Sequence, residues 1–223
     1  MLINYLGFSK AQMIKRIKLL PKEINLAIRV NENIFGRKPE KFNIIICDNE
    51  EEYKKASKYY YFPGSRGTVL LDRTMVIKSR KFLRMPRKEY QKLINHEINH
   101  VFWYSFYKNS KPVWIHEGLA CLAGNPLTKP KLIKSKISGK ILYYRYLSKD
   151  FSKEDIKDYY FVWQEFLKFI SKQEYGIIIK FLDKYSKNPT KSNYRNLFIK
   201  YFGNSIRKRF QQFIHEDESK IKI

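Results

Sequence analysis

Two histidines four residues apart, with a glutamate directly after the first, stand in the stretch INHEINHVFW, residues 94–103. On a helix, positions four apart lie one above the other, with about 5–6 Å between Cβ atoms. His96 and His100 can therefore aim two imidazole nitrogens at one metal ion. Glu97 is turned by roughly 100° from its neighbour. That leaves it near enough to reach a water on the metal without being a ligand. This is the H-E-x-x-H arrangement, in which the histidine pair holds zinc and the glutamate is the base. With four histidines and fourteen glutamates in the chain, its chance occurrence is on the order of a percent or less. The bland alternative is a polar helix face in water. Leu93, Val101 and Tyr104 lie along the same face and argue against it, because histidines buried among them need partners.

A catalytic zinc takes three protein ligands and keeps a fourth position for water. The third is expected on the next helix, KPVWIHEGLACLAG, where the candidates are Glu117 and His116. A carboxylate would lower the net charge of the site, as in His₂Glu centres. Gly118 and Ala120 are small, so this helix is expected to approach the first one closely.

HEINH, followed after sixteen residues by the glutamate of WIHEGLA, resembles the gluzincin metallopeptidases, in particular the peptidase-MA-like group. That group carries W-x-x-E-G-L-A, matched here by Trp114, Glu117, Gly118, Leu119 and Ala120. The resemblance implies an α+β, zincin-like fold. An N-terminal mixed lobe (1–108) would end in the HExxH helix and a helical lobe (109–223) would carry the third ligand. Together they would make one catalytic domain with its active site between the lobes. It further implies one zinc per chain, held by His96, His100 and Glu117, with Glu97 as general base and a peptide or protein as substrate. Such peptidases often take an oxyanion donor, a tyrosine or histidine, from the helical half. The F-x-x-F-I…YG spacing of the later helix puts Tyr160 in that place, with Tyr159 as its rival. The resemblance spans about residues 10–213, but only the two short motifs are specific.

The chain departs from the group's pattern just after EGLA, where Cys121 and Leu122 stand instead of an acidic or aromatic residue. An acid there would orient a zinc-bound histidine through its second nitrogen, so another carbonyl or carboxylate must do so. Cys121 itself reads as a packed helix cysteine. His116 is an outer-shell or substrate contact in this reading. His215 lies in a polar tail away from the site.

Two rivals remain open. SprT-like proteases, which act on proteins crosslinked to DNA, also carry HExxH and a later third histidine. His116 would fill that role here. A non-enzymatic protein could instead bind nucleic acid or an anionic surface, with a structural or vestigial zinc. No stretch of G-x-M-E-N type precedes the helix, which favours an endopeptidase over an aminopeptidase.

The elements that must position these residues are legible in outline. Residues 9–35 read as a helix broken or restarted near Pro21, KFNIIICD as a buried strand, and NEEEYKKASKYY as a helix capped by Asp48 or Asn49. TVLLD and TMVIKSR pair as a hairpin through "DR" or lie as successive strands. Pro86 starts the zinc helix, KNSKP breaks it, and VWIHEGLACLAG comes next, ending near Gly124. Residues 127–150 are basic and irregular, and the remainder of the chain has helical periodicity. TMVIKS is the expected open edge, where an extended substrate adds as a strand. Arg73, Lys78 and Arg80 around it would favour acidic substrates.

Bulk properties set the frame. The 223 residues, 43% hydrophobic and 16% aromatic, suffice for a sizeable core. No stretch approaches the run of about 18 apolar residues needed to span a bilayer, and the start lacks the charge order of a secretory leader. A cytoplasmic protein is expected. Cys47 and Cys121 make no disulfide framework and no C-x-x-C pair. The formal charge is +24, and residues 53–95 hold twelve Lys or Arg against two acids. Such a surface attracts nucleic acid, anionic lipid or acidic protein, yet no nucleic-acid motif accompanies it.

Overall fold

The computed structural model describes residues 2–5, 20–107, 112–124, 153–172 and 174–220. The irregular basic stretch 127–150 and the helix expected over 9–19 lie outside them. The chain is mixed α+β and mostly helical, and it divides into two compact units. One comprises Met1–Lys108 with Ala123–Leu127, the other Asn109–Leu122 with Thr128–Ile223.

The first unit is built on a four-stranded sheet, in the order β1 (Leu2–Tyr5), β2 (Asn43–Cys47), β4 (Thr74–Lys78), β3 (Gly67–Val69). β1, β2 and β4 are parallel, and β3 returns antiparallel to β4 as a hairpin. Asp72 shapes the turn by accepting from the Thr74 amide, while Arg73 takes a left-handed φ of 66°. All five β4 residues are buried. This places β4 inside the sheet, as its unbroken apolar run Met75–Ile77 suits. The expectation that TMVIKS forms the open edge is therefore wrong, and the edges are β1 and β3, with β3 beside β4.

Helix α1 (Leu20–Phe35) carries Pro21 in its first turn, where a missing N–H costs nothing. Helix α2 (Glu50–Ser57) is capped by Asn49, whose side chain accepts from the Glu52 amide at 2.9 Å. The short α3 (Arg80–Leu83) is capped by Ser79 in the same way. Helix α4 (Arg87–Tyr107) then runs 21 residues without glycine or proline, starting just after Pro86. It packs along α1 through a ladder of amides. Asn31 donates to the Asn95 carbonyl at 3.1 Å, and Asn99 donates to Asn31 Oδ1 at 2.7 Å. Gln91 donates to the Glu23 carbonyl and to Asn95 Oδ1. Amides at four-residue spacing, from half-buried Gln91 and Asn95 to buried Asn99, hold one face of α4 in a single register, because any slip would break their hydrogen bonds.

The second unit comprises most of α5 (Val113–Gly124) with α6 (Lys153–Ser171), α7 (Gly176–Tyr185), α8 (Lys191–Phe202) and α9 (Ile206–Lys220). Its core is aromatic. Trp114 packs on Phe166, which meets Phe210 and Phe213, while Phe181 contacts Tyr194, Phe198 and Phe202. The buried Trp114 indole donates to the Tyr194 hydroxyl at 3.1 Å, so this large ring leaves no polar atom unmet. Among the described residues, no helix is long and apolar enough to cross a membrane.

Candidate metal centre

Helix α4 carries His96, Glu97 and His100. Leu93, Ile94, Ile98, Val101 and Phe102 are buried around them and fix the helix about its own axis. The last turn of α5 docks on this helix within the first unit. Asn95 Nδ2 donates to the Ala123 carbonyl at 3.2 Å, which satisfies one of the acceptors a helix C-terminus leaves open. Gly124 makes the approach feasible. A Cβ there would lie 2.7 Å from the Lys92 carbonyl oxygen and 3.0 Å from His96 Cβ. Gly118, expected to serve this contact, instead faces α6. A Cβ on it would meet Leu167 Cδ1 and, at 3.1 Å, the Trp163 carbonyl oxygen. Helical periodicity explains the exchange: six residues apart is far from a whole number of turns, so the two glycines lie on different faces.

The imidazoles of His96 and His100 stand edge to face, with ring centroids 4.8 Å apart and planes at 88°. Their Nε2 atoms face one another at 3.1 Å. One ligand atom from each of His96, His100 and Glu117 falls within 4.8 Å of the others, the one such group of histidine, cysteine or acid side chains among the described residues. Two nitrogens on a tetrahedral zinc, each at about 2.0–2.1 Å, would lie roughly 3.3–3.4 Å apart. The observed gap differs by a few tenths of an ångström. A cation shared by the two rings and the Glu117 carboxyl is one arrangement this spacing allows. This donor set could hold a metal ion.

Burial pushes the Glu117 carboxyl up to about 8, partly offset by a hydrogen bond from Tyr160. A divalent cation at the ligand group would draw it back to the ionised form. Cys121, one turn further along α5, is raised well above its ordinary value by burial and by Glu117. It stays a thiol and lies outside the ligand group. Cys47 is likewise a buried thiol, pushed up to about 12 by burial with Glu52 and Asp48 adding to it.

Glu97, next to the first histidine, is 5% exposed. Its carboxyl lies against the backbone of Gly67, the first residue of β3. Tyr53 feels the charge of Glu97 and is raised chiefly by its own burial.

No family model, curated protein or solved structure matches the chain.

The two tyrosine candidates separate. Tyr160 meets Glu117 through its hydroxyl, whereas Tyr159 stacks on Trp163 at 6.2 Å. His116 is half-buried and outside the ligand group. The His215 side chain lies outside the described residues. The basic rim expected for acidic substrates is largely spent on internal pairs. Arg73 meets Glu40 at 2.9 Å, and the buried Lys78 meets Glu50 at 2.6 Å while its amine sits over the Tyr53 ring. Of the three, Arg80 alone is exposed. Sequence reasoning missed Gly67, Gly124, Tyr53 and Ser65. The only signal for Gly67 was a glycine opening a strand, a mark of close backbone approach.

Proposed function

We propose that this chain is a zinc-dependent peptidase that cleaves within extended peptide or protein segments. One observation carries the reading: Glu117, seventeen residues beyond His100, brings a carboxyl oxygen close to the two imidazoles. His96, His100 and Glu117 would hold the ion, one per chain. Zinc in such a site acts as a Lewis acid on the scissile carbonyl and makes hydroxide available near neutral pH.

The chain's own groups supply the rest. Glu97, buried beside the ligands, accepts the proton of the attacking water and passes it to the departing amine. Tyr160 donates to Glu117 at rest. Its single proton can be given instead to the oxyanion that forms beside the same carboxylate. The edge strand offers the substrate a backbone to pair with. The Lys78 amide bonds to the Arg66 carbonyl and the Leu70 amide to that of Thr74, so Arg66, Thr68 and Leu70 face β4. Gly67 and Val69 therefore turn their backbone groups away from β4. Ser65 Oγ already donates to the Gly67 carbonyl at 2.8 Å. An added peptide would then pair through Val69 and the Gly67 N–H.

The test is metal analysis of the purified chain and of Glu97→Ala, beside cleavage of an unstructured protein. One zinc in each with cleavage by the parent alone is expected. Zinc lost on His116→Ala but kept on Glu117→Ala would transfer the third ligand to His116 and overturn the gluzincin-like reading.

A further inference from the structure

Gly67 has no positive φ, so its backbone conformation is open to any residue. Its reason is space. A Cβ built on it would come within 2.6 Å of both the carboxyl carbon and Oε1 of Glu97, and 2.8 Å of Cγ. Real Cβ atoms do not approach so closely, and three consecutive atoms of the side chain are involved rather than its tip alone. The bare Cα of Gly67 is therefore a wall against which the Glu97 carboxyl rests.

That wall is itself held. Ser65 Oγ donates to the Gly67 carbonyl at 2.8 Å and lies 2.5 Å from the Tyr53 hydroxyl. The Tyr53 ring is fully buried in a cluster with Cys47, Ala56, Leu70 and Val76. On its other side Gly67 is paired in register with Ile77 of β4, a fully enclosed strand. The strand start has little freedom to yield, whereas a glutamate side chain has three rotatable bonds.

We propose that Gly67, braced by Ser65 and Tyr53, is a positioning residue that sets where the Glu97 carboxylate stands, and so aims the base of the reaction. This rests on the peptidase reading for the word "base", and on geometry alone for the positioning. The same glycine thus does two things: it seats the carboxylate on one side and opens the substrate-pairing edge on the other. Base and peptide backbone would be measured from one common reference point.

The experiment compares the zinc-loaded parent with Gly67→Ala and Ser65→Ala, reading crystal structures, zinc content and steady-state kinetics. Gly67→Ala should keep one zinc per chain. Its Glu97 carboxyl should move by about 1 Å or more while β3 stays in register, and kcat should fall on the order of a hundredfold. KM should change by less than about threefold, because the edge that binds substrate is intact. Ser65→Ala introduces no clash and should fold normally, with a smaller loss confined to kcat. If β3 shifts and Glu97 stays in place, or if Glu97 moves and kcat does not change, the proposal is overturned. If Glu97 moves as expected but the parent cleaves no peptide, the positioning stands and the peptidase reading fails.

Discussion

Zinc binding should expel a proton from Glu117, which makes affinity climb with pH well above the histidine range. Burial holds this carboxyl protonated up to about 8 in the metal-free chain, while a zinc ligand must be the carboxylate. With that value, roughly one chain in ten is ionised at Glu117 at pH 7 and about nine in ten at pH 9. The apparent zinc Kd should therefore tighten about tenfold between those points. Below pH 7 it should weaken about tenfold per unit. Competition against a zinc-buffering chelator measures this, and calorimetry in buffers of different ionisation enthalpy counts the proton directly. Glu117→Gln has no proton to lose, so it should bind more weakly and show no gain from pH 7 to 9. A flat Kd in the parent over that range, or the same slope in Glu117→Gln, would refute the reasoning. The same shift has a sign for folding. A carboxyl raised above its unfolded value binds more protons folded than unfolded, so its contribution favours the metal-free fold at pH 5 and is lost as pH rises toward 8. Added zinc should restore the lost melting temperature at pH 8.

Two further perturbations separate the parts of the site. Tyr160→Phe keeps the ring against Trp163 but removes the hydroxyl that lowers the Glu117 pKa. It should reduce kcat by about 10²-fold if the hydroxyl also serves the oxyanion, and shift the zinc-affinity curve toward higher pH. Loss of only one effect would assign the tyrosine to only one role. Gly124→Ala puts a methyl 2.7 Å from the Lys92 carbonyl oxygen. It should cost about 1–3 kcal/mol by overpacking and weaken zinc binding. Unchanged melting and unchanged zinc affinity would mean that the close approach of α5 to α4 is not needed.

The pairing of His96 with His100 was legible because it depends on local periodicity. Four residues make one helical turn, so His96 and His100 were bound to share a face once α4 was recognised, and Pro86 marked its start. Asn49 was legible as a cap for the same reason: its partner, the Glu52 amide, is three residues away. The sheet was not legible in this way. TMVIK and GTV are both short and β-prone, and only pairing partners decide which is interior. One of those partners, β1, contributes four residues at the far end of the chain, where local pattern says nothing of long-range register. The basic rim failed on similar grounds. Lys78 looks like a solvated cation in the sequence, yet its partner Glu50 lies 28 residues earlier and its burial comes from the enclosed position of β4.

The glycines draw the line between what sequence can and cannot supply. Gly67 opens β3, Gly118 lies within α5 and Gly124 ends it, all without a positive φ, so each marks a close approach rather than a turn. That much can be inferred from a glycine within a helix or strand pattern. What is approached is a different matter, since it depends on which face of the helix or strand meets which neighbour. Gly118 admits the Trp163 carbonyl and Leu167, Gly124 admits α4 beside His96, and Gly67 admits the Glu97 carboxyl. Three residues of one type thus admit three different neighbours: Gly118 admits α6 to α5, Gly124 admits α4 to the end of α5, and Gly67 admits the Glu97 carboxyl to β3. A methyl at any of the three would alter one distance and spare the other two. That makes the three alanine variants a direct way to ask which spacing the chemistry depends on most.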